Sequence, residues 1–246
     1  IYALDAVSGA LRWRYQTGDW VRSSPAVSGG TLFCGSDDGF IYALDAGSGT
    51  LRWKHQTKGP VVSSPTVSGG TVFCGSDDRC IYALDAASGT LRWKHQTGDA
   101  VRSSPAVSGG TLFCGSRDGC IYALDAASGA LRWKYKTGDD VSSSPTISGN
   151  TVFCGSHDGR IYALDAASGA LRWKYQTGDW ISSSPAVSGN TVFCGSRDGC
   201  IYALDAASGN LRWRYQTGDD VHSSPAVSGN TVFCGSYDGC IYAIRL

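Results

Sequence analysis

The 246 residues carry 21 Lys and Arg against 21 Asp and Glu, a formal charge of zero, and no apolar run approaches the length that crosses a bilayer. That balance gives no broad field to attract nucleic acid or an anionic surface, so no nucleic acid and no membrane insertion are expected. There is no basic-then-apolar leader and no Met at all, which reads as a processed form or an excised piece.

The first run is "IYALDA" at residues 1–6, and "SG" separates it from a second, "LRWRYQT", at residues 11–17. Next come "VRSSPAVS" at 21–28, "TLFCGS" at 31–36 and "FIYALDA" at 40–46, punctuated by "GG" and "DDG". Each run is short and rich in β-branched and aromatic residues, and the Asp-Gly supplies the positive φ that a type I turn with a G1 bulge needs. No window shows a helical period. From residue 41 the series begins again: Ile1, Ile41, Ile81, Ile121, Ile161, Ile201 and Ile241 form one column at a spacing of 40. Six full copies, starting at residues 1, 41, 81, 121, 161 and 201, are followed by a stub at residues 241–246. A unit of this size cannot bury its own faces and must stack on its neighbours. Four antiparallel strands per unit predict an all-β, six-bladed β-propeller within a single domain spanning residues 1–246.

The segment "ALDAVSGALRW", Ala3 to Trp13, resembles the tryptophan-docking motif of the PQQ-like propellers, of the form A-x-D-x-x-T/S-G-x-x-x-W, and it recurs in every copy. The Gly-His and Trp-Asp marks of WD40 propellers are absent. The resemblance implies that Trp13, Trp53, Trp93, Trp133, Trp173 and Trp213 are structural, each packing on the Ala and Gly of the neighbouring blade. An indole wedged against small residues between two sheets is also what packing alone favours.

Strands are named A ("SSPAV"), B ("VFCGS"), C ("IYALDA") and D ("LRWKY"), from the axis outwards as the resemblance implies. The chain opens on C and D and closes on A, B and C, so the last blade must combine both termini, a velcro closure that removes free edges. Seven C strands for six places leave one surplus. The stub has lost its turn Asp, reading Ile244, Arg245 and Leu246, and looks built to end a blade. We expect Ile241 to Leu246 to pair with Thr231 to Ser236, Leu11 to Thr17 to close from outside, and Ile1 to Ala6 to be displaced or contested. The surplus strand could instead reach a second molecule.

Antiparallel order puts the D-to-A and B-to-C loops on one face, and there the copies differ most. Position 20 of the repeat reads Trp20, Pro60, Ala100, Asp140, Trp180 and Asp220; position 22 includes Arg22, Arg102 and His222; position 37 includes Arg117, His157, Arg197 and Tyr237. Aromatic and Arg residues dominate binding hot spots, so Trp20, Arg22, Arg102, Arg117, Asp140, His157, Trp180, Arg197, Asp220, His222 and Tyr237 form the candidate binding face for a protein or peptide partner. Drift at exposed loops would also vary them. Asp139, Asp140, Asp219 and Asp220 could attract a cation near the channel mouth, but read as solvated turn acids.

Six Cys share one place in strand B (Cys34, Cys74, Cys114, Cys154, Cys194 and Cys234), and Cys80, Cys120, Cys200 and Cys240 open strand C. Cys114 and Cys120 sit diagonally, as do their counterparts, so a bridge would be strained, and C-x5-C without His is no usual zinc pattern. Free thiols favour a reducing, cytoplasmic compartment; the resemblance points instead to the periplasm or the exterior. Quinoproteins with this blade motif bind pyrroloquinoline quinone and calcium, but have an adjacent Cys-Cys pair and long insertions that are missing here. His55 and His95 stand where other copies have Tyr, as outer packing residues. No cofactor, metal or catalytic group is expected. The sequence reads as a non-catalytic binding or scaffold module; the alternatives are a structural repeat protein without a ligand, from recent amplification or design, or a fragment of a larger quinoprotein or sensor.

Overall fold

The computed structural model describes residues 1–245; Leu246, the last residue of the expected closing strand, lies outside the described residues. The first copy forms β1 (Tyr2–Leu4), β2 (Leu11–Arg14), β3 (Ala26–Ser28) and β4 (Thr31–Gly35). β5 (Phe40–Asp45), β6 (Leu51–Gln56), β7 (Thr66–Ser68), β8 (Thr71–Gly75), β9 (Cys80–Asp85) and β10 (Leu91–Gln96) follow in the same rhythm. So do β11 (Ala106–Ser108), β12 (Thr111–Ser116), β13 (Cys120–Asp125), β14 (Leu131–Lys136), β15 (Thr146–Ser148), β16 (Thr151–Gly155), β17 (Arg160–Asp165) and β18 (Leu171–Gln176). The series ends with β19 (Ala186–Ser188), β20 (Thr191–Gly195), β21 (Cys200–Asp205), β22 (Leu211–Gln216), β23 (Ala226–Ser228), β24 (Thr231–Gly235) and β25 (Ile241–Arg245).

Two local devices produce this regularity. At the B-to-C hairpin, Gly39 at φ +82° donates its N–H to Ser36, and Ser36 donates its own to Phe40, as expected of Asp-Gly. At the C-to-D turn, one carboxylate oxygen of Asp45 accepts the N–H groups of Gly47 and Ser48 and the Ser48 hydroxyl, and Arg52 holds the other oxygen at 2.6 Å. The Asp-x-x-Ser-Gly spacing is therefore a turn cap. Position 39 is Arg79 in the second copy, the one non-Gly residue at positive φ among the described residues.

The strands form five four-stranded sheets in A-B-C-D order, β3–β6 to β19–β22, flanked by a two-stranded sheet β1–β2 and a three-stranded sheet β23–β25. Inner strands lie side by side from β3 to β23. A chain of bonds from backbone N–H to hydroxyl, Ser24 to Ser64, Ser104, Ser144, Ser184 and Ser224, follows the same arc and does not return to Ser24. Between sheets the core repeats: Phe73, Ile81, Ala83, Trp93 and Val101 pack on Leu112, Cys114, Cys120, Tyr122 and Leu124. The Trp93 indole donates to the Ala126 carbonyl at 3.1 Å, and a Cβ on Gly129 would fall 2.6 Å from its ring, so only glycine fits beneath it.

The seam departs from expectation in part. β25 pairs with β24, with Thr231 opposite Arg245 and Gly235 opposite Ile241, as expected. β2 does not close that sheet from outside; it pairs with β1, Ala3 opposite Trp13, so Ile1 to Ala6 is neither displaced nor contested. Among the described residues the strands fall into seven sheets, and none of them combines strands from both termini. The physical reason is local: β1 and β2 adjoin in sequence across a turn capped by Asp5, which accepts the Ser8 N–H at 2.9 Å, and β25 already fills the place beside β24.

Candidate functional site

The D-to-A and B-to-C loops do share a face, and the backbone ties them together in each copy: Asp37 N–H donates to Trp20 O, His157 to Asp140, Arg197 to Trp180 and Tyr237 to Asp220, each at 2.8–2.9 Å. A second tie is the aspartate before the hairpin glycine. Asp118 accepts the Tyr122 hydroxyl at 2.6 Å, the Cys120 N–H at 2.9 Å and the Gly98 N–H of the preceding loop at 2.7 Å. Burial pushes this carboxyl up, but the bonds from Tyr122, Gly98 and Cys120 outweigh it and hold it below its ordinary value. The same anchoring recurs at Asp38, Asp78, Asp158, Asp198 and Asp238. From sequence these aspartates read as turn formers; the Tyr four residues after each is the signal of the anchor.

On this frame eight of the eleven candidate residues join into one ribbon across the last sheets. Arg117 Nε bonds Asp140 at 2.8 Å, and Asp140 O receives the His157 N–H. The His157 ring lies parallel to Trp180, centroids 5.0 Å apart at 3°, with Nε2 3.1 Å from the Ser182 hydroxyl. Arg197 covers Trp180 at 5.0 Å and reaches Asp220 at 3.2 Å. His222 Nε2 lies 3.5 Å from that carboxylate without hydrogen-bond geometry, and its ring stacks on Tyr237 at 4.6 Å and 6°. Burial lowers the His157 pKa ahead of the opposing pull of Asp140, so the ring favours its neutral form. Trp180 and Tyr237 remain 44% and 68% exposed, leaving ordered aromatic surface open to a partner.

Trp20 stands apart from the ribbon. Its ring is 69% exposed and carries Arg22 at 5.0 Å, which pairs with Asp37 at 2.9 Å on the first sheet. Arg102 forms a two-pronged pair with Asp77 of the preceding copy, at 3.0 and 2.8 Å. Asp37 and Asp77 at position 37 and Ser182 at position 22 vary on the same face without standing among the eleven candidates, and they are the partners here. A signal existed: both arginines at position 37, Arg117 and Arg197, are followed by Asp at position 20 of the next copy, and this matching argues against unconstrained drift.

A cavity of about 420 Å³ lies on the opposite face between the second and third complete sheets, lined by Phe73, Val107, Arg92, Asp125 and Arg132. Arg92 there already bonds Asp85 and Thr71, Arg132 bonds Asp125 and Thr111, and a similar hollow recurs one sheet on. The hollow is a by-product of the repeat. All ten thiols are free, nine of them buried, and burial pushes Cys74, Cys154 and Cys194 up to about 12, away from nucleophilic use. His55 and His95 edge against Tyr82 and Tyr122 on the outer strands, as packing residues. No group of three or more His, Cys, Asp or Glu is placed to hold a metal among the described residues.

With this geometry in hand, comparison with known proteins gives three results. The sequence profile of the family described as "Outer membrane protein assembly factor BamB" matches residues 1–105, 81–180 and 159–245. The computationally designed Ika8 protein superposes with a TM-score of 0.88 at 21% identity, over 97% of this chain and 75% of its own. BamB from Moraxella catarrhalis superposes with a TM-score of 0.64 at 21% identity, over 97% of this chain and 89% of its own. No curated protein matches the chain.

Proposed function

Because the chain belongs to the BamB-type family of PQQ-like β-propeller repeats, we propose that it is a non-catalytic module that binds a protein or peptide on the D-to-A and B-to-C loop face. The observation that carries this reading is the ribbon from Arg117 to Tyr237, in which two stacked aromatic pairs and two ion pairs hold exposed Trp180 and Tyr237 in place. Stacked rings lose little freedom when a partner covers them, and Trp, Tyr and Arg dominate binding energy at interfaces. Exposed ion pairs contribute little stability themselves, so their alternation supports orientation rather than folding. The fold alone assigns no ligand, and the relative's description as an assembly factor supports the binding class without naming a partner. In the same reading, the two terminal sheets are parts of a sixth blade, and the indole contacts of Trp13, Trp53, Trp93, Trp133 and Trp173 are the docking interactions that hold blades together.

The test is selection of peptides from a random display library on the immobilised chain, followed by affinity measurement on variants. Trp180→Ala and Tyr237→Ala are each expected to weaken the selected peptides about tenfold or more, with unchanged circular dichroism. Equal affinity for both variants and the parent chain refutes the assignment. The reading of a structural repeat protein without a ligand draws support from the near-identity of the copies and the likeness to a designed protein; it predicts that no peptide is enriched.

A further inference from the structure

The zero net charge conceals an uneven distribution. The D-to-A and B-to-C loops, residues 17–22 and 36–40 with their counterparts in each later copy, hold 15 of the 21 carboxylates but only seven of the 21 cations. This face therefore carries a formal charge of −8 and the rest of the chain +8. The excess concentrates under the ribbon. In the loops of copies four to six, eight carboxylates face two cations, Arg160 and Arg197, whereas the loops of copies one to three hold seven against five. Charges of one sign gathered on one face draw the opposite sign towards it.

Pairing within the chain decides which of these charges are free to meet a partner. Arg22, Arg102, Arg117 and Arg197 are each committed to an Asp at position 37 or 20, at 2.9, 2.8, 2.8 and 3.2 Å. Position 19 of the repeat is different. Asp99, Asp139, Asp179 and Asp219 are exposed, and each carboxylate accepts only the N–H of the residue after it, at 2.6–2.8 Å. None of the four enters an ion pair among the described residues. Three of them directly precede ribbon members: Asp139 before Asp140, Asp179 before Trp180 and Asp219 before Asp220. The face also shows how it holds a cation. Arg197 lies 5.0 Å over Trp180 while pairing with Asp220, and Arg22 lies 5.0 Å over Trp20 while pairing with Asp37, so ring and carboxylate share one guanidinium in both places.

Resting on the reading of this face as the binding surface, we infer that the partner is a cationic peptide segment whose Lys or Arg side chains pair with Asp139, Asp179 and Asp219 and pack along the exposed part of Trp180. The carboxylates supply attraction and orientation, and the ribbon supplies contact area. An acidic segment would meet an uncompensated carboxylate on each of these sheets and would find Arg117 and Arg197 already paired.

Peptides selected from a random library on the immobilised 246-residue chain test this. The enriched sequences are expected to carry an excess of Lys and Arg. Raising NaCl from about 0.1 M to about 1 M shortens the screening length from about 10 Å to about 3 Å and is expected to slow their association several-fold while changing dissociation little. Asp179→Asn and Asp219→Asn keep a side-chain oxygen for the following N–H and remove only the charge. Each is expected to weaken the selected peptides about two- to fivefold, with circular dichroism unchanged. Lys94→Gln, exposed on the outer strand β10, is expected to have no effect. Enriched peptides that are neutral or acidic, yet lose affinity on Trp180→Ala, overturn the inference and leave the binding face standing. So do basic peptides indifferent to salt and to both Asn variants. A library that yields no enriched peptide overturns the binding face and the inference together.

Discussion

Replacing Trp133 with Ala removes one wedge from the middle of the arc, where both neighbouring sheets are complete. The indole is 9% exposed, donates to Ala166 O at 3.0 Å, tilts against Phe113 at 5.8 Å and covers Gly169. Burying roughly 200 Å² of aromatic surface at about 25 cal/mol per Å² corresponds to about 4 to 5 kcal/mol. Large-to-small substitution of buried aromatics independently gives about 3 to 5 kcal/mol. Gly169 and Ala166 carry no side chain that could refill the space, so the upper half of that range is expected. Urea unfolding followed by Trp fluorescence and circular dichroism measures the loss, and in a chain of this size the melting temperature should fall by roughly 2 to 4 °C per kcal/mol. Leu131→Ala, in the same strand but exposed, is the control, with an expected change within about 0.5 kcal/mol. A loss below about 1 kcal/mol for Trp133→Ala would refute the claim that these indoles hold the sheets together.

Arg79 occupies the hairpin position at φ +72° that glycine holds elsewhere, so Arg79→Gly is expected to stabilise the chain by about 1 kcal/mol, read as a raised urea midpoint at unchanged slope; a lowered midpoint contradicts the strain. The turn aspartates titrate below their ordinary value in the folded chain: Asp205 falls to about 2, chiefly through Arg212 and then the Ser208 N–H. Stability from such depressed carboxylates is fully present above the unfolded value near pH 4 and is lost as pH falls towards about 2. Melting temperatures should therefore hold from neutrality to about pH 5 and decline below pH 4, with Asp205→Asn flattening part of that decline; a decline starting near pH 6 would implicate the histidines instead.

Much of the fold was legible because its determinants are local. The Asp of "LDAxSG" caps its own turn, Gly39 supplies its own positive φ, and alternation along each strand decides which side chains reach the next sheet. The forty-residue period then placed Trp20 and Trp180 on one face without any tertiary knowledge. The seam was half legible: the pairing of β25 with β24 was expected, but two like strands, Ile1 to Ala6 and Ile241 to Arg245, compete for it, and no single residue shows that β2 stays with β1. The ribbon was half legible. Its members stood out as differences among copies, but Arg197 touching Trp180 of its own sheet and Asp220 of the next is a relation across a sheet boundary that residue-by-residue comparison does not show. The Asp118 anchor escaped notice for the opposite reason: it is identical in every copy, and identity draws no attention to one position.

The central claim is that a partner is bound on the ribbon face, and hydrogen–deuterium exchange of the chain with and without a selected peptide tests it most directly. The account predicts slowed exchange confined to the loops around Asp140, His157, Trp180, Arg197, Asp220 and Tyr237, with the turns at Gly109 and Asp125 on the opposite face unchanged. Protection at those opposite turns, with the ribbon loops exchanging as in the free chain, would contradict it.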